Sequence, residues 1–127
     1  NIEPIQTWSV FSINGLSQIE VQFPHLDHAN NFYVGLLYMR DPEDTSTGGD
    51  LELYSTNVQN VEFKEYRQPL SSHIDIHTVV PYKANTMVWI LTGNRAIHGA
   101  TPRINATKYR RYVIINTRVS TLAHPYE

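Results

Sequence analysis

The sequence contains no cysteine. That absence excludes a disulfide framework, a thiolate zinc site and a cysteine nucleophile, so any metal must be held by His, Asp or Glu. Long apolar runs are missing too. No stretch approaches the roughly 20 residues that span a bilayer, and the opening Asn1-Ile-Glu-Pro-Ile-Gln lacks the charged start and apolar middle of a signal peptide. A cytoplasmic protein with no membrane partner is expected. Charge of one sign is scarce as well: the net charge is −2, and the ten Lys and Arg form no long basic run, so no nucleic-acid surface is implied. Helical periodicity is equally absent, because no run of a dozen residues carries an apolar stripe at i, i+3, i+4 and i+7 with caps.

What is present is a chain of 127 residues, 41% hydrophobic, with eight tyrosines. This suits one packed domain over residues 1–127, large enough for a single core and too small for two. Apolar residues recur mainly at period two, in short runs separated by turn clusters such as Asn14-Gly15, Gly48-Gly49 and Thr92-Gly93-Asn94, which predicts an all-β fold. Strands are expected at Thr7–Ile13, Ile19–Asp27, Phe32–Met39, Leu51–Ser55, His73–Val80, Thr86–Leu91, Ala96–Thr101 and Arg110–Val119. Eight short strands suit a double-sheet jelly roll, the double-stranded β-helix.

Chemistry gathers at two His-x-Asp pairs. In Ile19-Glu-Val-Gln-Phe-Pro-His-Leu-Asp27 the apolar phase of the strand carries His25 and Asp27 toward the interior, because residues two apart share a face. A buried imidazole beside a buried carboxylate is costly unless something pairs with them, and a metal ion does so. The second pair, His73-Ile-Asp75, competes. Distance to a third ligand separates them, since early and late strands of a jelly roll become neighbours and His98 lies much further along the chain from His25 than from His73. His25, Asp27 and His98 are therefore the expected metal ligands. His73, Asp75 and His77 are expected on a solvated strand face, with His28 and His124 in loops. Two histidines and one carboxylate on one face of a metal leave positions open, as in non-haem Fe(II) oxygenases.

In order, Pro24-His-Leu-Asp27, Gly48-Gly-Asp-Leu-Glu-Leu-Tyr54, Ile97-His-Gly-Ala-Thr-Pro102 and Arg110-Arg-Tyr-Val-Ile-Ile-Asn116 resemble the landmarks of the Fe(II)- and 2-oxoglutarate-dependent dioxygenases, especially the prolyl 4-hydroxylase-like branch. The resemblance implies an enzyme, a hydroxylase that binds Fe(II), takes 2-oxoglutarate as cosubstrate and uses O2 to oxidise a C–H bond of a small-molecule or peptidyl substrate. Family members that halogenate replace the carboxylate ligand; Asp27 retains it. In the family an Arg or Lys opening the last strand pairs with the distal carboxylate of 2-oxoglutarate, and here Arg111 is expected in that role, with Val113, Ile115 and Thr117 on the same inward face and Arg110 as the alternative. Tyr38 matches a position from which a hydroxyl reaches the same carboxylate; a core tyrosine is the competing reading. Trp8 and Trp89 are expected in the core, and Gly48-Gly49 is expected to form the tight turn that leads into the next strand.

A cupin-like metal-binding jelly roll, an isomerase or binding protein, is the alternative function. It expects His-x-His followed by Glu, which this sequence lacks. A carbohydrate-binding sandwich gives His25, Asp27 and His98 no reason to converge. Family members also carry helices ahead of the core, and few residues precede Ile19 here. The resemblance thus implies a core piece whose outer sheet face shows a contiguous apolar patch or is covered by a second subunit, leaving room for a homodimer.

Overall fold

The computed structural model describes residues 5–14 and 22–119, and the regular structure within them is almost entirely β. Eight strands follow in order: β1 (Ile5–Asn14), β2 (Gln22–His25), β3 (Asn31–Tyr38), β4 (Leu51–Thr56), β5 (Ile74–Val80), β6 (Thr86–Leu91), β7 (His98–Ala100) and β8 (Arg110–Val119). All eight expected strands are present, Thr86–Leu91 and Arg110–Val119 with the expected bounds and the others with shifted ends; the part of the second one that precedes residue 22 lies outside the described residues. Two three-residue 3-10 turns, Glu65–Arg67 and Ser71–His73, occupy the long connection from β4 to β5. No helix among the described residues is long and apolar enough to cross a membrane.

The strands form two antiparallel four-stranded sheets, ordered β1-β8-β3-β6 and β2-β7-β4-β5. Successive strands alternate between the sheets except at β4 and β5, which pair within one sheet; this makes the architecture jelly-roll-like and sets the early β2 against the late β7. Tyr38, Leu51, Tyr82, Ile90 and Tyr112 form the main core between the layers, and a smaller cluster of Leu26, Ile74 and Ile97 packs with Tyr54, Val61 and Phe63.

Register assigns the faces of the first sheet. Trp8, Asn116, Val34 and Ile90 lie in one row across the four strands, and Ser12, Tyr112, Tyr38 and Thr86 in another. Val34, Tyr38, Ile90 and Tyr112 are buried, so these rows face the second sheet. The intervening rows, Phe11-Val113-Leu37-Met87 and Ser9-Ile115-Gly35-Trp89, therefore face outward.

This overturns the expected phase of β8. Arg111, Val113 and Ile115 belong to the outer face, whereas Arg110, Tyr112, Ile114, Asn116 and Arg118 point between the sheets. The reason is that both phases of the strand are similarly apolar, so alternation alone carried no information about which faced inward. The expected apolar outer face is present, built from Phe11, Ile13, Met87, Trp89 and Leu91, all exposed; Tyr112 and Ile114, expected there by the phase that put Arg111 inward, lie on the inner face instead. Trp89 is 55% exposed and its ring lies on Gly35, where an added Cβ would come within 2.6 Å of it. Its expected place in the core is corrected accordingly. Trp8 is half-buried on the inner face.

Candidate metal centre

His25 closes β2 and stands directly opposite His98, which opens β7. Asp27 follows two residues later. The route by which His25 turns inward differs from simple alternation: Phe23 is 61% exposed, and the pairing with β7 shifts register between Gln22 and His25. The irregularity separates the histidine from the strand phase that precedes it.

The three side chains converge. His25 Nε2 lies 4.0 Å from Asp27 Oδ1 and His98 Nε2 lies 3.8 Å from Asp27 Oδ2; one ligand atom from each residue falls within 4.8 Å of the other two. Each imidazole is held from behind. His25 Nδ1 is 2.8 Å from the Phe23 carbonyl and His98 Nδ1 is 3.0 Å from the Ala96 carbonyl. A carbonyl can only accept, so Nδ1 of each ring donates to it, and Nε2 is the nitrogen turned toward Asp27. Burial and then the neighbouring His98 push the His25 pKa below its usual value, which keeps the ring neutral and able to ligate. Backbone-anchored imidazoles whose Nε2 atoms face a carboxylate are the donor set and orientation that a divalent transition metal takes. Among the described residues no other group of three His, Asp or Glu side chains meets in this way.

The competing pair stays apart. Asp75 and His77 are exposed on β5, where Asp75 accepts from the Asn57 side-chain amide and His73 Nδ1 accepts from the Glu62 backbone N–H. His28 is an exposed residue at the rim of the candidate centre. Desolvation, then Arg67 and Arg118, hold its pKa down. His124 lies outside the described residues.

A cavity of about 260 Å³ runs between the sheets, with the triad on one wall. Val34, Leu36 and Ile114 give it an apolar middle, Arg110 lines one end of the β8 wall and Arg118 the other. Arg110 is buried. Its Nε donates to the Gly49 carbonyl at 2.9 Å and its Nη2 to the Tyr38 hydroxyl at 3.4 Å, while the rings of Tyr38, Tyr82 and Tyr112 surround its guanidinium at 4.7 to 5.2 Å. It has no carboxylate partner among the described residues. Burial raises the Tyr38 pKa, so its phenol stays protonated.

Gly48 and Gly49 make this arrangement accessible to the backbone. Both have positive φ, and a Cβ at Gly48 would sit 1.9 Å from the Pro102 carbonyl oxygen. Only glycine fits there. Arg111, by contrast, turns outward and pairs with Asp41 at 3.1 Å, so it is not part of the cavity wall. Tyr38 is fully buried and reaches the cavity only through Arg110.

Sequence reasoning missed several residues. Arg103 is buried and paired with Asp44 at 2.9 Å, and Arg40 also reaches Asp44, at 3.5 Å. Tyr82 grips the backbone of Arg111, which donates its N–H to the Tyr82 hydroxyl at 2.8 Å. Arg118, Asn31 and Trp8 gather at the other end of the cavity. None carries a local motif. The even spacing of Arg110, Tyr112, Asn116 and Arg118 was the one signal available. The chain matches no protein-family model and no curated protein.

Proposed function

We propose that this protein is an Fe(II)- and 2-oxoglutarate-dependent dioxygenase, a hydroxylase of the prolyl 4-hydroxylase-like kind. The observation that carries the reading is a buried guanidinium with no acidic partner among the described residues, Arg110, in the same cavity as a His-Asp-His triad. A cation desolvated without a counterion is costly, and a ligand carboxylate relieves that cost through charge-assisted hydrogen bonds. A metal triad alone fits many chemistries. A triad with a cation waiting across a small cavity fits a cosubstrate whose anionic tail binds at a distance from its chelating head.

His25, Asp27 and His98 would hold the ion, their orientation fixed by the Phe23 and Ala96 carbonyls. Arg110 would bind the distal carboxylate of 2-oxoglutarate, with the neutral Tyr38 hydroxyl adjoining it. Tyr38, Tyr82 and Tyr112 exclude water from that end, which strengthens the ion pair. The chemistry supplied by bound Fe(II) is activation of O2, with conversion of 2-oxoglutarate to succinate and CO2 and transfer of one oxygen atom into a substrate C–H bond. Asp27 retains the carboxylate that halogenating relatives lack, which favours hydroxylation.

The test is anaerobic titration with Fe(II) and 2-oxoglutarate, followed by exposure to O2 and measurement of succinate. Succinate release should require both additions, and His98→Ala should weaken Fe(II) binding by at least about a hundredfold. Metal binding unchanged in His98→Ala, or no dependence on 2-oxoglutarate, would refute the proposal.

A further inference from the structure

The cavity has a second cationic end, and nothing in the cosubstrate accounts for it. Arg110 and Arg118 lie eight residues apart on the inner face of β8, about 26 Å at the usual strand rise of roughly 3.3 Å per residue. One short dicarboxylate anchored at Arg110 and chelated at the triad does not reach Arg118. The second guanidinium is nonetheless held in place: Nε donates to Asn31 Oδ1 at 3.4 Å, and the group lies 5.0 Å from the Trp8 ring centroid. Asn31 is buried and Arg118 half-buried. No ion pair joins Arg118 to a carboxylate, and no hydrogen bond engages its Nη atoms, among the described residues. An anchored fork with its terminal donors uncommitted suits a planar anion.

We propose that Arg118 is the specificity-determining residue for the prime substrate, and that this substrate is a small carboxylic acid with an aliphatic body. Its carboxylate takes the Nη donors of Arg118 beside Trp8, its body lies along Val34, Leu36 and Ile114, and a carbon of that body faces the triad. Size supports a small molecule over a macromolecular segment, because about 260 Å³ falls just below the roughly 300–1,000 Å³ of pockets for drug-sized ligands. The assignment of this acid as the molecule oxidised rests on the oxygenase reading; recognition of a carboxylate at Arg118 does not.

The two are separated by binding measurements on the full chain loaded with redox-inert Zn(II), which accepts the same His and Asp donors. Ligand-detected NMR would titrate hexanoate, hexanamide and hexyl phosphate in the presence of 2-oxoglutarate. Hexanoate should bind at least about tenfold more tightly than hexanamide, a difference of roughly 1.4 kcal/mol. Arg118→Gln should abolish that discrimination, Arg118→Lys should keep part of it, and Arg110→Gln should weaken 2-oxoglutarate while sparing hexanoate. Asn31→Ala retains the charge but frees the fork, and should also lower the discrimination. Equal binding of acid and amide, or discrimination that survives Arg118→Gln, overturns the inference, and tighter binding of hexyl phosphate overturns the carboxylate assignment. If 2-oxoglutarate fails to bind while Arg118-dependent discrimination persists, the oxygenase reading falls and the carboxylate site stands.

Discussion

Two arginines share the surroundings of one tyrosine and have opposite electrostatic fates. Arg103 and Arg110 are both buried, and their guanidinium carbons lie 5.9 and 5.2 Å from the Tyr82 ring centroid. Arg103 is saturated from within the chain: Asp44 accepts at 2.9 Å, the Ser46 hydroxyl at 2.8 Å and the Lys108 carbonyl at 2.7 Å. Arg110 receives one backbone carbonyl, one phenol and three aromatic faces, with no acid among the described residues. A buried charge neutralised by its own fold is a structural fastener. A buried charge with no acid of its own suits another molecule's anion, the role proposed above for Arg110.

The sharpest way to break this comparison is to make one substitution at both positions. Arg103→Met leaves Asp44 buried with one of its two cationic partners gone and is expected to cost about 3 to 5 kcal/mol of stability, the usual penalty for breaking a buried pair. Chemical denaturation measures it. Arg110→Met removes an uncompensated cation, so the melting temperature should move by only a few degrees, and a higher value would strengthen the distinction. A loss at Arg110 as large as that at Arg103 would erase it.

Ligand binding should show the reverse order. Arg110→Met is expected to weaken 2-oxoglutarate by about a hundredfold, within the 2 to 5 kcal/mol typical of truncating one side of a buried charge pair, as read by calorimetric titration of the Zn(II)-loaded protein. Arg111→Ala should change it less than about twofold, because that side chain pairs with Asp41 on the outer face.

The smallest expected effect is one of pH. Burial alone would raise the Asp44 pKa, but the Ser46 hydrogen bonds and the Arg103 and Arg40 charges outweigh it and hold the carboxyl below its ordinary value. A depressed folded-state pKa contributes stability that is present above the unfolded value, near pH 4, and is lost as pH falls through the lower folded one. Melting temperature should therefore decline below about pH 4 in the native chain. In Asp44→Asn that component of the decline should be absent, on top of lower stability at neutral pH.

How far the sequence reveals all this depends on which physical signal each feature leaves. The eight strands were legible because period-two alternation and turn residues are local. His25, Asp27 and His98 were legible from spacing joined to topology, although Phe23 shows that the phase argument for His25 worked only because a register shift intervened. The inward and outward faces of Arg110 and Arg111 were read the wrong way round because both faces of β8 are apolar, so nothing in Val113, Ile114 and Ile115 distinguishes core from exterior. Trp89 was misplaced for the same reason: a large apolar residue in a strand reads as core unless the sheet's outer face is known to be apolar too. The Asp44, Arg103 and Tyr82 network joins loops far apart in the sequence, and long-range polar pairing has no periodic trace.

The placement of the triad also bears on how the molecule assembles and comes apart. Among the described residues β2 is a four-residue edge strand attached only to β7, and the chain between His25 and His98 forms most of the two sheets. Closing so long a loop is entropically slow and must precede any contact between the two histidines. An ion bound by both strands would act as a removable cross-link across that closure, stabilising the native state by about 2.7 kcal/mol at a hundredfold excess over its dissociation constant. Amide hydrogen exchange in the metal-free protein should accordingly be fastest at the β2 edge, and metal loading should slow it there before anywhere else.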